Sequence, residues 1–583
     1  MISPDPQSVR APQGVPDSRG LNLFDADPSF RGLLELHLEP ELCAHLLPHF
    51  ARLGAMAGAE LDELALEADK NPPILQFKQN FQHVEKNKAY KKLEEIAFGT
   101  YGLAAMSHRG GVLGWPEPLP PVVKYALTYL YAQAEFGVCC PLSMTDALTR
   151  TIRKYADPAL VARYLPGLIS QDMDTLVQGA MFMTEQQAGS DVGATATKAV
   201  RKGDSWQLVG DKWFCSNADA GLALVLARPE EAPAGTEGLS LFLLPRTLPD
   251  GSPNSYRILR LKDKLGTRGM ASGEIKLEGA QAWLVGDPQQ GFKQMADMIN
   301  MSRLSNGMRA AGMMRRALTE ALFVARNRQA FGQPLVRLAL MRRQLLKLML
   351  PAEAARSVLF FISKELEKAD AGDEPARRRV RVLTPLIKFR ACRDARRVTG
   401  DAMEVRGGVG YTEEWSDPRL VRDSHLGSIW EGTSNIVALD VMRAIRGEQC
   451  LEALLPVLDE RIARAPHLLA GRLAASLDKA AEFAHEIAST QSEAHARQAA
   501  SGLYYACAAA LLADEGTRLG ERGDGLADSR RLLLAFLAYV HHLAPRDPLR
   551  RVTTGFESEL ADALLPETPI APQAAERILT RLA

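Results

Sequence analysis

The chain has 583 residues, 46% of them hydrophobic, and balances 70 Lys and Arg against 70 Asp and Glu. That length supports three or four domain-sized units with ample core. Its seven cysteines, an odd number without CxxC spacing, exclude a disulfide framework and a thiolate zinc site and fit a reducing, cytoplasmic compartment.

The first twenty residues carry Pro4, Pro6, Pro12, Pro16, Asp5 and Asp17. They fit neither the apolar core of a signal peptide nor an Arg-rich, acid-poor transit helix, so residues 1–27 read as an extended, loosely ordered segment. Residues 28–176 show helix-period runs, such as 122–131 and 159–165, divided by the Gly/Pro-rich stretch 110–121; they predict a helical domain. From 177 to 290 the pattern turns to short runs with turn punctuation, at 205–209, 222–227, 239–244 and 274–278, which predicts a β-barrel or sandwich. Between 291 and 447 long 3.6-period segments return, at 308–328, 338–368 and 384–405, and suggest a four-helix bundle. Residues 448–583 add further Ala- and Leu-rich helices, at 468–489, 494–519 and 530–542. No uninterrupted apolar run of about 18 residues occurs, so no membrane span is expected.

Charge is uneven along this order. Residues 303–397 hold 22 Lys or Arg against 8 Asp or Glu, whereas residues 451–583 hold 14 against 18. A basic middle fits a pyrophosphate, the phosphates of CoA or a nucleic acid backbone, and equally a solvated helix face. The acidic balance of the tail argues against a DNA clamp there.

Two segments some 240 residues apart are more specific: Met183-Thr-Glu-Gln-Gln-Ala-Gly-Ser-Asp-Val192, and Gly407-Gly-Val-Gly-Tyr411 followed by Ser428-Ile-Trp-Glu-Gly-Thr-Ser-Asn435. They resemble the flavin loop and the catalytic-base loop of acyl-CoA dehydrogenases. The extended N-terminus, the run from Leu261 to Ile275 and the helical tail most resemble the AidB, or alkylation-response, branch, which is linked to DNA protection. The resemblance implies an α+β multidomain fold: an N-terminal helical domain, a central β-barrel and a C-terminal helical bundle, here with an extra C-terminal helical domain.

The same resemblance assigns the chemistry. α,β-Dehydrogenation needs a carboxylate on one face of the acyl chain and an oxidised flavin on the other. Glu431 stands at the position of that base, Trp430 shapes the site, Gly432 permits a tight turn, and Thr433 or Ser434 caps a helix beginning near Ile436. Some branches place the base on an earlier helix, here Ile299 to Arg309, where this chain has no acid and carries Ser302 and Arg303 instead. Arg303 is then a substrate-pocket arginine, with Ser190 and Trp430 also facing substrate. FAD contacts fall on Met183, Thr184, Gly189 and Ser190 of the first loop, on Phe214 and Ser216 of a strand, and on Thr433 and Asn435. Arg328, Phe331, Glu404 and Gly408 match residues that reach the FAD of a neighbouring subunit, which implies a homodimer or homotetramer. Arg406 departs from the neutral apolar residue common in relatives and so makes this loop unusual.

His541-His542 lack clustered ligand partners, and Cys139-Cys140 sit in an apolar helical run, so no metal is expected; no GxxxxGK[ST] loop is present. The implied activity is an FAD-dependent acyl-CoA dehydrogenase whose flavin is reoxidised by an electron-transfer flavoprotein or oxygen. An acyl-CoA oxidase would use the same residues. The alternative is an AidB-like flavoprotein acting mainly in DNA binding or protection from alkylation damage, which the intact loops and the acidic tail do not favour.

Overall fold

The protein is described by a computed structural model covering residues 14–78, 81–523, 525–545 and 555–582; Pro4, Asp5, Pro6 and Pro12 lie outside the described residues. The chain divides into two compact units. One comprises Leu61–Arg309 together with Ile429–Ile436, and the other comprises residues up to Glu60, Ala310–Ser428 and Val437–Ala583.

The unit containing Leu61–Arg309 is built around a small barrel of β3 (Gly179–Phe182), β4 (Lys198–Lys202), β5 (Ser205–Ser216), β6 (Leu222–Pro229), β7 (Ser240–Pro245), β8 (Tyr256–Leu261) and β9 (Ser272–Val285), after a hairpin of β1 (Ile74–Lys78) and β2 (Phe81–Glu85). β6 pairs with β4, β4 with β5, β5 with β9, β9 with β7, and β7 back with β6, so the ladder closes on itself. Closure encloses a core of Phe182, Leu208, Val225, Phe242, Ile258 and Ile275, with β3 on β6 and β8 on β9 as outer strands. β6 and β7 are buried at nearly every position, which explains their continuous apolar runs. Helices Pro121–Ala132, Cys139–Tyr155 and Pro158–Leu168 precede the barrel. The β1–β2 hairpin corrects the expectation of a purely helical segment over 28–176; its period-2 pattern spans only five residues a side, too short to stand out from flanking helices.

The other unit is helical. Helices Ala339–Asp370 and Glu374–Arg406 form a hairpin turned by Gly372 at φ +96°, with the Asp373 side chain accepting from the Ala376 N–H and so capping the second. In place of four helices, the chain from 291 to 447 forms five: Gly291–Asn327, these two, Ser416–Gly427 and Ser434–Glu448. In the tail, helix Ala496–Gly520 is buried along most of its length and packs against Ala339–Asp370, Cys450–Ala463 and Arg530–Ala538. The N-terminal segment is not loose from residue 16 onward: Ser18 and Asp27 are buried, and the Pro16 carbonyl accepts from Arg406 Nη1 at 3.1 Å.

Part of the basic middle is interior. Arg315, Arg316, Arg356 and Arg379 are buried. Arg315 pairs with Asp27 at 3.3 Å and with Glu567 at 2.8 Å, and Arg356 pairs with Asp27 and Glu353. Arg531 bridges Glu353 at 2.6 Å and Glu515 at 2.7 Å. Asp27 of the N-terminal segment and Glu567 of the tail are therefore counter-ions of Arg315 on the central helices.

Candidate functional site

The loop after β3 carries Met183, Thr184, Gly189 and Ser190, and a buried ion pair fixes it to the barrel. Lys212 of β5 reaches Glu185 at 2.7 Å and also donates to the carbonyls of Leu226 at 2.8 Å and Met183 at 3.4 Å. Glu185 further accepts from the Ala196 N–H at 2.7 Å and the Thr197 hydroxyl at 2.5 Å. Burial pushes the Glu185 carboxyl up, but the Lys212 ammonium and these donors hold it below its usual range. Trp213 N–H donates to the Thr184 carbonyl at 2.8 Å, so Met183 and Thr184 are clamped half-buried while Gly189 and Ser190 stay exposed.

β5 and β9 slip register between Lys212 and Cys215, a bulge in the strand bearing Phe214 and Ser216. A bulge re-aims side chains, and Phe214 here is 57% exposed although aromatic. Lys262 Nζ sits 3.3 Å from the Trp213 ring centroid and 4.7 Å from that of Phe214. Ser216 is half-buried with its hydroxyl 3.4 Å from that of Ser272. An exposed aromatic side chain beside hydroxyls suits a flat ring with a polar rim, so these residues fit the isoalloxazine of FAD.

Glu431 lies in the Ile429–Ile436 segment of this same unit. It has φ +55° and Gly432 has φ +98°, two consecutive left-handed residues that turn the chain sharply. A non-glycine residue there is a strained conformation held by its surroundings. Arg303 Nε donates to the Glu431 carbonyl at 3.0 Å, and Trp430 stacks on Phe136 with ring centroids 5.7 Å apart. The Cys140 thiol is pushed up by burial and lies within electrostatic range of Arg309, Glu431 and Lys264. Helix Ser434–Glu448 begins two residues earlier than expected; Thr433 precedes it and Asn435 falls in its first turn, both exposed.

The remaining predicted residues sit in the helical unit. Phe331 is 91% exposed at the tip of a hairpin of β10 (Gln329–Ala330) and β11 (Gln333–Pro334), with Phe331 at φ +53° and Gly332 at +76°. This is the double left-handed signature of a two-residue hairpin turn. Arg328 Nη1 donates to the Arg406 carbonyl at 2.6 Å. Arg406 itself is buried, bonding Asp417 at 2.9 Å and Glu320 at 2.6 Å, so its departure from an apolar residue is met by two carboxylates while Glu404 and Gly408 beside it remain exposed.

Sequence reasoning gave no role to Glu185, Lys212, Phe136 or Arg309. Glu185 lies inside the first quoted motif, but its pairing with Lys212 crosses 27 residues and no local pattern marks it. His541 lies 3.6 Å from Glu557 and His542 stacks on Tyr505 at 3.7 Å. Among the described residues no group of three or more His, Cys, Asp or Glu is arranged to hold a metal ion, and no helix is long and apolar enough to cross a membrane.

Residues 14–175 match the family described as Adaptive response protein AidB N-terminal domain, 180–280 the acyl-CoA dehydrogenase middle domain, and 289–446 the acyl-CoA dehydrogenase C-terminal domain. The chain is 36% identical to AidB of Escherichia coli (strain K12) over 427 residues, 70% of this chain and 75% of that one. Among solved structures it is similar to the apo form of Bd2924, with TM-score 0.77, 32% identity, and 86% of this chain and 99% of that one covered. It is also similar to Caenorhabditis elegans ACDH-11 in complex with C11-CoA, with TM-score 0.82, 25% identity, and 94% of this chain and 96% of that one covered.

Proposed function

Since the chain belongs to the acyl-CoA dehydrogenase family of FAD flavoproteins, in its AidB-like branch, we propose that it introduces an α,β double bond into an acyl-CoA thioester with Glu431 as the base. The observation that carries this reading is the Glu431 turn: a left-handed carboxylate residue, its carbonyl held by Arg303 and its preceding Trp430 held by Phe136. Such anchoring holds a carboxylate at one point beside the reacting carbon, as general base catalysis requires.

FAD, when bound, supplies the two-electron acceptor for the β-hydrogen. The protein residues do the rest. Glu431 takes the α-proton, Trp430 walls the site against water, and Arg303 keeps the base turned inward. Met183, Thr184, Gly189, Ser190, Phe214, Ser216, Thr433 and Asn435 would hold the flavin, and Ser190 would also meet substrate. Arg328, Phe331, Glu404 and Gly408 serve the FAD of a second copy, which makes the working unit a dimer or tetramer. An electron-transfer flavoprotein or oxygen would be the acceptor for the bound flavin's electrons, in a cytoplasmic setting. Burial of Arg315, Arg316, Arg356 and Arg379 leaves fewer cations for a DNA backbone and weighs against DNA binding as the main role.

The test is anaerobic mixing of the purified holoprotein with a panel of acyl-CoAs while following flavin absorbance. Wild type bleaches, and Glu431→Gln bleaches about 10²–10⁴-fold more slowly with its flavin content unchanged. No bleaching by any thioester, with FAD bound, overturns the reading.

A further inference from the structure

Arg309 is 1% exposed, yet no carboxylate pairs with it among the described residues. Its Nε donates to the Ser305 carbonyl at 3.2 Å, a bond within its own helix, and its Nη1 is buried without any protein acceptor. The guanidinium lies against two aromatic rings, with Cζ 4.8 Å from the centroid of Trp430 and 5.1 Å from that of Phe136. Trp430 immediately precedes Glu431. The Cys139 and Cys140 thiols, within electrostatic range of Arg309, are pushed up by burial and remain neutral, so neither is its counter-ion.

A buried cation without a partner destabilises the fold, and chains retain one where something else completes it. The two rings flank the guanidinium, and its Nη1 is left with a donor to place. A planar fork of donors in a desolvated wall matches a carboxylate, which it binds bidentately. A purely hydrocarbon acyl chain would leave that edge unsatisfied.

Resting on the dehydrogenase reading above, we propose that Arg309 is the counter-ion for an acid group on the substrate, so that the thioester acted on carries a carboxylate in a short acyl chain. The proximity of Arg309 to the base loop sets the chain as short, and the same cation offsets repulsion between the substrate carboxylate and Glu431.

The experiment titrates the holoprotein, in the Glu431→Gln background so that bound thioester is not consumed, with glutaryl-CoA and with pentanoyl-CoA, which have equal numbers of acyl carbons. Flavin spectral perturbation reports binding. The acid thioester is expected to bind at least about tenfold more tightly, Arg309→Met to abolish that preference, and Arg309→Lys to keep part of it. Without ligand, Arg309→Met is expected to melt at or above the temperature of its parent, because an uncompensated charge has been removed; a structural arginine would give a lower one. Equal or tighter binding of pentanoyl-CoA by the parent overturns the proposal, as does an equal loss for both thioesters in Arg309→Met. Should that variant fail to fold, the preference retained or lost in Arg309→Lys decides. Arg309-dependent preference without bleaching of the Glu431 protein by either thioester would sink the dehydrogenase reading and leave the acid-group assignment standing. Bleaching by pentanoyl-CoA without any preference would do the reverse.

Discussion

The Arg303 guanidinium donates to the backbone carbonyl of Glu431, 128 residues away, at 3.0 Å. It grips the main chain at the residue whose left-handed conformation aims the carboxylate, so its effect on chemistry is exerted through position.

Arg303→Ala therefore slows flavin bleaching more than it weakens thioester binding. A loss of about 10–100-fold in the bleaching rate is expected, from misplacement of the base by a fraction of an ångström to one ångström. Stopped-flow traces across thioester concentrations separate the two; a change confined to binding contradicts this role.

The Glu185–Lys212 pair is the second point of leverage. Glu185→Gln leaves the Lys212 ammonium buried and short of its charge partner, which destabilises the fold by about 3 kcal/mol and releases the loop bearing Met183 and Thr184. Urea denaturation and flavin content after gel filtration check this, and both should fall together.

Acid sensitivity follows from Glu515. Burial alone would push its carboxyl up, but the Arg531 guanidinium, with His37 and Ser357, holds it down at about 2, against an ordinary 4.5. A folded pKa lower than the unfolded one gives stability that is fully present above about 4.5 and lost as pH falls toward about 2. Glu515→Gln should cost ~3 kcal/mol at pH 7 and flatten the acid limb of the stability curve. Urea midpoints at pH 7 and pH 3 that shift equally in the variant and the parent would contradict it.

Phe331 presents a nearly bare aromatic ring on a rigid two-residue turn. If it covers the FAD of a second copy, Phe331→Ser forfeits the burial of one aromatic side chain, about 2 kcal/mol, and lowers FAD affinity on the order of tenfold or more. Flavin released on dilution, measured by fluorescence, checks the value, and light scattering shows whether the assembly loosens with it.

The strands were legible where composition alone was decisive. The runs at 222–227 and 239–244 are apolar without interruption, and their burial accounts for it. Barrel closure was not legible, because it depends on β6 pairing in parallel with β4 and in antiparallel with β7, neither of which a linear pattern encodes. The strongest loss of information concerned the arginines. Helical periodicity treats Arg315, Arg356 and Arg378 alike, yet the first two are interior and the third bonds the exposed Glu374. Burial of a charge becomes readable only when its partners, some of them hundreds of residues away, are in place. At the site, Glu431 and Trp430 are legible in the motifs, whereas Arg309 only bounds the segment from Ile299 and nothing local marks it as buried between Trp430 and Phe136.

The interior charge network bears on how the tail can be studied. Glu567 and Glu515 come from beyond residue 448, and so does Arg531; they complete Arg315, Ser357 and Glu353 of the central helices. A truncation after residue 447 is consequently a core mutation in disguise: it opens polar wounds in the remaining helices along with removing whatever the tail binds. Loss of a phenotype in such a truncated strain would not locate that phenotype in the tail, and charge-conserving point changes on the outer faces of its helices are the cleaner genetic probe.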